Sequence, residues 1–78
     1  MITAEEARKK AEKKANDYLS ELDKTVDGLV QTAIFNDELE FTLINIPRLA
    51  YSRVRDTMKS NGYKLYKSSP GSRLTFKF

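Results

Sequence analysis

The strongest constraint on the fold is an apolar stripe that runs through the first half of the chain with the period of an α-helix. Its members recur in steps of three or four residues, close to one helical turn: Ala4, Ala7, Ala11, Ala15, Tyr18, Leu22, Val26, Leu29 and Ala33. Thr3 and Glu6 have the spacing of a capping box, in which each side chain accepts from the backbone N–H of the other residue. The stripe predicts one helix over residues 3–34. Gly28 is its weakest position, because glycine in a helix costs up to about 1 kcal/mol relative to alanine.

A helix of this length does not fit inside a domain of 78 residues. About thirty residues rising 1.5 Å each span about 45 Å, whereas a compact chain of this size has a radius of gyration of about 11–12 Å. One end must therefore project, bend at Gly28 or pack on a second copy. The stripe is alanine alone before Tyr18, so we expect residues 1–15 to be a protruding arm. Small side chains let another helix approach closely, which predicts a homodimer through Ala4, Ala7, Ala11, Ala15, Tyr18 and Leu22.

Alternating apolar and polar residues predict three short strands in the second half of the chain. The strands cover residues 39–43, 63–67 and 73–78. Pro70 and Gly71 occupy the central positions of a type II turn between the last two strands. The strand residues expected to face the core are Leu39, Phe41, Leu43, Tyr63, Leu65, Leu74, Phe76 and Phe78.

A second helix is predicted between the first two strands. Pro47 suits the first helical position, because its ring fixes φ and its missing N–H has no partner there in any case. Gly62 suits the left-handed position that follows a helix end. The buried stripe of this helix is expected to consist of Ala50, Tyr51, Val54 and Met58.

Together these elements predict an α+β fold, with a long N-terminal helix followed by β-α-β-β in a single domain over residues 1–78. A right-handed crossover makes the first two strands parallel, and the last strand then lies between them. Both helices are expected to cover one face of this three-stranded sheet. The other face is expected to display Glu40, Thr42, Lys64, Tyr66, Ser68, Arg73, Thr75 and Lys77.

Charge is sorted into blocks along the chain. Residues 46–78 carry eight basic side chains and one acidic one, whereas residues 15–45 carry seven acidic side chains and one basic one. Blocks of this size create local fields that select charged partners. The candidate residues for binding a protein partner or a nucleic acid are Arg48, Arg55, Lys59, Lys64, Tyr66, Arg73 and Lys77. The first three lie on the predicted second helix, and the others lie on the open face of the sheet.

The composition argues against catalysis. The chain has no cysteine and no histidine, which removes thiolate chemistry, the commonest general base and the commonest metal ligand. Its three glycines are scattered and form no phosphate-binding loop. We therefore expect a protein that is not an enzyme and that uses no metal or other cofactor. With neither a signal-peptide pattern nor an apolar run that could span a bilayer, we also expect a cytoplasmic protein without a membrane partner.

Two stretches of the chain resemble small accessory proteins of tailed bacteriophages and prophages. They are residues 1–8 (MITAEEAR) and the ending, from residues 61–65 (NGYKL) to residues 72–76 (SRLTF). The resemblance implies a small protein that acts by binding in the cytoplasm of a host cell. Its targets would be host machinery, a defence complex or a signalling nucleotide, and no functional residue carries over.

Three functional hypotheses remain open at this point. The first is a phage-encoded, non-enzymatic binding protein that occludes a host protein or a defence complex. The second is a nucleic-acid-binding protein that uses the basic sheet face and the second helix. The third is a dimeric protein that sequesters an anionic nucleotide.

Overall fold

The computed structural model describes residues 1–70 and 72–78 and has an α+β fold, as the sequence predicts. The elements in chain order are α1 (Ala4–Ser20), α2 (Leu22–Phe35), β1 (Glu40–Leu43), a 3₁₀ turn (Arg48–Ala50), α3 (Tyr51–Ser60), β2 (Lys64–Ser69) and β3 (Arg73–Lys77). The sheet has the order β1-β3-β2, and β3 is antiparallel to both neighbours. The predicted strand order is therefore confirmed, with β1 and β2 parallel to each other. The predicted type II turn includes Gly71, which lies outside the described residues.

The prediction of one uninterrupted helix is wrong, because the helix is divided at Glu21, whereas Gly28 lies inside α2. The hydroxyl of Ser20 donates to the Asp17 carbonyl at 2.8 Å. In a continuous helix the Glu21 N–H would bond to that same carbonyl. The Glu21 N–H bonds instead to the Tyr18 carbonyl at 3.2 Å, one residue closer. The serine hydroxyl thus competes for a helical hydrogen bond at the point where the helix is divided.

The N-terminal part of α1 extends away from the rest of the molecule. Thr3 Oγ1 accepts from the Glu6 N–H at 3.2 Å and caps the helix, as predicted. Residues 1–14 are all exposed, and Ala15 is the first buried side chain. The molecule is elongated as a result, with a radius of gyration of 14.0 Å and extents of 50 × 21 × 21 Å.

The core lies between the helices and one face of the sheet. Its buried apolar side chains are Ala15, Leu22, Val26, Ala33, Phe41, Leu43, Ile46, Ala50, Val54, Met58, Leu74 and Phe76. Tyr51, Tyr63 and Leu65 are half-buried and pack against this cluster. Burial of each large apolar side chain contributes about 1.5–3 kcal/mol to folding.

Two residues that alternation predicts for the core are exposed instead. Leu39 is 68% exposed and Phe78 is 41% exposed. Both lie just outside the strands, where their backbones still pair through the Phe78 N–H and the Leu39 carbonyl at 3.0 Å. The prediction is wrong for Leu39, because the alternation of faces applies within a strand and not in the adjoining turn. Phe78 keeps the predicted face, with its ring centre 6.1 Å from that of Phe41 and 6.3 Å from that of Tyr63, but it lies at the edge of the core.

The second helix begins later than predicted and ends as predicted. Pro47 has an extended backbone with ψ of 140° and precedes the 3₁₀ turn, so it does not open the α-helix. At the other end, Gly62 has φ of 90° and its N–H bonds to the Lys59 carbonyl at 3.0 Å. The Tyr63 N–H bonds to the Met58 carbonyl at 3.1 Å. These two bonds form a Schellman motif, the helix end for which glycine is favoured.

A bulge interrupts the pairing of β2 with β3. Leu65 is paired with Phe76, and Lys67 is paired with Thr75. Tyr66 lies between these pairs as an extra residue. An insertion of one residue reverses the faces of all the residues that follow it.

The bulge changes the composition of the open face. Lys67 joins the open face, whereas Ser68 turns toward the helices. The Ser68 hydroxyl accordingly lies 3.2 Å from the hydroxyl of Tyr51 on α3. The predicted position of Ser68 on the open face is therefore wrong, since strict alternation does not hold across a bulge.

Candidate functional site

The open face of the sheet carries a cluster of basic side chains, which we call the basic face. Lys64, Lys67, Arg73 and Lys77 supply its positive charge, and Glu40 is an acidic residue of the same face. All five residues are exposed. Lys67 reaches this face only because of the bulge, which is why alternation alone does not include it.

Two lysines of the basic face occupy directly opposite positions on neighbouring strands. Lys77 on the central strand is paired with Glu40 on one side and with Lys64 on the other. Neighbouring strands lie about 4.8 Å apart, and like charges at opposite positions destabilise a sheet. An anion bound between Lys64 and Lys77 would relieve this repulsion.

The basic face also presents an aromatic ring and two hydroxyl groups. The ring of Tyr66 is 59% exposed, and Nζ of Lys77 lies 3.8 Å from its centre, within the range of a cation–π interaction. Nearby on the same face, the hydroxyls of Thr42 and Thr75 lie 2.9 Å apart. The basic face therefore offers a ligand positive charge, an aromatic ring and hydroxyl groups on one surface.

The other predicted basic residues lie on a different surface. Arg48 is on the 3₁₀ turn, and Arg55 and Lys59 are on α3, which packs on the helix-covered side of the sheet. Arg48 and Lys59 are exposed. Arg55 is half-buried, and its Nε is buried without a hydrogen-bond partner among the described residues. Of the predicted binding residues, the structure brings together the four on the sheet and separates them from these three.

The predicted self-association residues are also divided. Ala4, Ala7 and Ala11 are exposed on the projecting part of α1. Ala15 and Leu22 are buried in the core of the same chain. Their contacts are therefore made within one protomer.

Tyr18, the remaining self-association candidate, is held by the loop after β1. It is half-buried, and its hydroxyl donates to the Ile44 carbonyl at 3.4 Å. Burial raises the pKa of the Tyr18 phenol above its ordinary value of 10.0, because the charged phenolate is poorly solvated there.

A second surface that the sequence analysis missed is a group of exposed apolar side chains around the junction of α2 and β1. We call it the apolar end, and it consists of Ile34, Phe35, Leu39 and Phe78. Phe35 is 90% exposed and Ile34 is 61% exposed. The Glu38 N–H bonds to the Ala33 carbonyl at 2.8 Å and closes the chain into a tight turn between Phe35 and Leu39.

Three acidic residues adjoin the apolar end along the chain. Asp37, with φ of 58°, and Glu38 lie in the turn, and Glu40 begins β1. A shallow depression beside them is lined by Glu38, Leu39, Glu40, Lys77 and Phe78. The apolar end is thus an exposed apolar surface with a mainly acidic border.

A signal for the apolar end was present in the sequence. Phe35 follows Ala33 of the apolar stripe by two positions, which is about 200° around a helix. A large aromatic residue so far from the stripe is expected to face away from the core. Phe35 is still helical, because α2 ends one residue later than predicted.

Comparison of the chain with protein-family models, with curated proteins and with solved structures finds no match. No helix in the described part of the chain combines the length and apolar character that crossing a membrane requires. Residues 1–70 and 72–78 also contain no group of three or more acidic, cysteine or histidine side chains placed to hold a metal ion.

Proposed function

We propose that this chain is a non-enzymatic binding protein that docks on a protein partner through its apolar end. The observation that carries the proposal is the exposure of Phe35, 90% of whose surface is in contact with solvent, followed four residues later across a tight turn by Leu39 at 68%. Single exposed apolar residues are common on proteins, but clustered ones mark interaction surfaces.

The energetics of the apolar end suit a small docking surface. Full burial of a Phe or Leu side chain contributes about 1.5–3 kcal/mol, and a few buried anchors dominate the affinity of most interfaces. The backbone of Phe35 is fixed by the last turn of α2, and that of Leu39 by its bond to Phe78. Little backbone order then has to be gained on binding, which favours affinity.

The acidic border defines the chemistry of the partner. Asp37, Glu38 and Glu40 lie beside the apolar residues and would face the rim of the partner surface. Complementary charge steers association and excludes wrong partners. The expected partner therefore has an apolar pocket bordered by Lys or Arg.

The resemblance to tailed-phage accessory proteins supplies the biological context of the proposal. A phage-encoded protein of this kind would bind a protein of the bacterial host, or of a defence complex, and occlude its surface. A bacterial lysate is accordingly the source in which to look for the partner.

The test compares matched exposed positions at the two ends of the molecule. Tagged wild-type protein, Phe35→Ser, Leu39→Ser and the control Ile2→Ser are incubated with nuclease-treated bacterial lysate. The partner retained by the wild type is then purified and titrated with each variant. All three positions are exposed, at 90%, 68% and 47%, so the substitutions leave the core intact.

The proposal predicts at least tenfold weaker binding of the purified partner by Phe35→Ser and by Leu39→Ser, which corresponds to about 1.4 kcal/mol or more. Ile2→Ser should bind as the wild type does. Equal affinity of all four proteins, or no protein retained after nuclease treatment, would contradict it.

A further inference from the structure

We infer that the basic face binds single-stranded nucleic acid. This activity is separate from the proposed docking through the apolar end and rests on different residues. Lys64, Lys67, Arg73 and Lys77 lie on one exposed face that is three strands wide, and among the described residues the salt bridges involve only side chains of α1. These four cations are therefore available to an external anion.

The aromatic ring favours a nucleic acid over an acidic peptide. Proteins that bind single strands combine positive charge that follows the backbone with aromatic rings on which bases stack. Tyr66 supplies such a ring on the same face, with 59% of its surface exposed, and the bulge adds Lys67 to that face. A peptide carboxylate would use the charges but would gain nothing from the ring.

The stacking requirement also favours a single strand over a duplex. In a duplex the faces of the bases are already stacked on one another, so only the phosphates and the base edges are available. Tyr66 can therefore contribute only when the bases are unpaired. Hydroxyls of Thr42 and Thr75, 2.9 Å apart on the same face, add hydrogen-bonding groups for phosphate or sugar.

Lys77 links the positive charge of the basic face to the aromatic ring of Tyr66. Its ammonium group lies 3.8 Å from the centre of the Tyr66 ring and covers one side of it. An incoming phosphate attracts this ammonium group, which leaves the ring open to a base. The charge of the phosphate also relieves the repulsion between Lys77 and Lys64, which occupy opposite positions.

The experiment measures binding of the full chain to a fluorescein-labelled oligonucleotide of twenty deoxythymidines by anisotropy at several salt concentrations. If four phosphates are neutralised, the slope of log K against log salt is about −2.8, since each phosphate contributes about −0.7 for a single strand. Lys67→Gln should reduce the magnitude of the slope by about 0.7. Lys24→Gln makes the same change of charge on the exposed surface of α2 and should leave the slope unchanged.

The ring is tested separately from the charges. Tyr66→Ala should weaken binding by about 5- to 150-fold, the range that corresponds to the loss of one stacked base. Tyr66→Phe keeps the ring and should bind within about twofold of the wild type. The variants at positions 66 and 67 leave the apolar end unchanged, so failure here and failure of the proposed docking are distinguishable.

Each remaining outcome overturns the inference. No binding of the oligonucleotide at low salt excludes a nucleic-acid surface. Equal affinity for poly-glutamate makes the basic face a general site for polyanions, and tighter binding of the matching duplex makes stacking irrelevant. If Lys24→Gln changed the salt slope as much as Lys67→Gln does, binding would depend on the net charge of the protein and not on the basic face.

Discussion

The hydroxyl of Tyr51 on α3 lies 3.2 Å from the hydroxyl of Ser68 on β2, and this contact shows which way the end of β2 faces. In an uninterrupted strand, Ser68 would share the open face with Lys64 and Tyr66. The extra residue at Tyr66 reverses the faces beyond it. Lys67 therefore joins the basic face, and Ser68 contacts the helix layer.

Deletion of Tyr66 should leave a folded protein. The residues on both sides of the bulge can keep their present partners on β3 when the extra residue is removed. We expect a cooperative melt with a loss of about 1 kcal/mol, the scale of an exposed cation–π contact. Circular dichroism and dispersion of the amide NMR signals measure the outcome.

Deletion of Thr42 is the matched control on the other edge strand. β1 pairs in regular register, so loss of one residue must turn either Phe41 or Leu43 out of the core. This variant should lose its cooperative melt. If the deletion of Tyr66 unfolds the protein as well, the assigned bulge is contradicted.

Alanine should have opposite effects at two of the glycines. Gly62 has φ of 90° and nothing lies within 4 Å of an added Cβ, so Gly62→Ala suffers from backbone strain alone. A loss of about 1–2 kcal/mol in the free energy of unfolding is expected. Gly28 lies inside α2, also in open space. Gly28→Ala should therefore gain up to about 1 kcal/mol.

Urea unfolding of the two glycine variants beside the wild type provides the measurement. A stabilising Gly62→Ala would contradict the left-handed helix end. A destabilising Gly28→Ala would mean that position 28 is not an ordinary site within a helix.

The sequence predicts those parts of the fold that are set by neighbours along the chain. Thr3 caps α1, Gly62 ends α3, and alternation places Phe41 and Phe76 in the core. The strand order also follows, because few connections of three short strands are sterically favourable. These features depend on local geometry and on the handedness of the crossover.

The sequence does not predict features that depend on competition between two hydrogen-bonding or pairing arrangements. Ser20 diverts a carbonyl that the helix would otherwise use, and the pattern of apolar residues contains no trace of this. Tyr66 fits a regular strand by alternation, yet pairing with β3 leaves it as the extra residue. Leu39 alternates correctly but lies in the turn before β1.

Local sequence patterns predict most of the basic face but little of the apolar end. Alternation places Lys64, Arg73 and Lys77 on one face, whereas Lys67 depends on the bulge. The apolar end depends on where α2 stops and how tightly the chain turns back after Phe35. The spacing of Phe35 from the apolar stripe indicates that this side chain faces away from the core, but it does not indicate how the chain turns back toward Leu39.

Removal of the Ser20 hydroxyl should straighten the junction of α1 and α2. Ser20→Ala frees the Asp17 carbonyl for the Glu21 N–H and replaces serine by a better helix former. Residual dipolar couplings should then report more nearly collinear helices. The control Ser52→Ala, at an exposed position in α3, should leave the angle unchanged. An unchanged angle in Ser20→Ala would contradict the role of the hydroxyl.

Stability should fall at alkaline pH in part because of Tyr18. Burial raises the pKa of this phenol above 10.0 in the folded state, so above about pH 10 the unfolded chain loses the proton first. The folded state then binds more protons, and stability decreases as pH rises. The contribution of Tyr18 is fully present below pH 10 and is lost as the pH rises through the folded pKa.

Tyr18→Phe removes this titration. The difference in unfolding free energy between the wild type and Tyr18→Phe, measured by urea at pH 7 and again at pH 11, should change in favour of the variant. A difference that is the same at both pH values would argue against a buried phenol at position 18.

The most direct test of the central claim is site-specific photo-crosslinking from the apolar end. p-Benzoylphenylalanine replaces Phe35 in one preparation and Ile2 in another, and each is irradiated in nuclease-treated bacterial lysate. The account predicts a covalent adduct with one protein from position 35 and none of that adduct from position 2. The absence of an adduct from position 35, or the same adducts from both positions, would contradict docking through the apolar end.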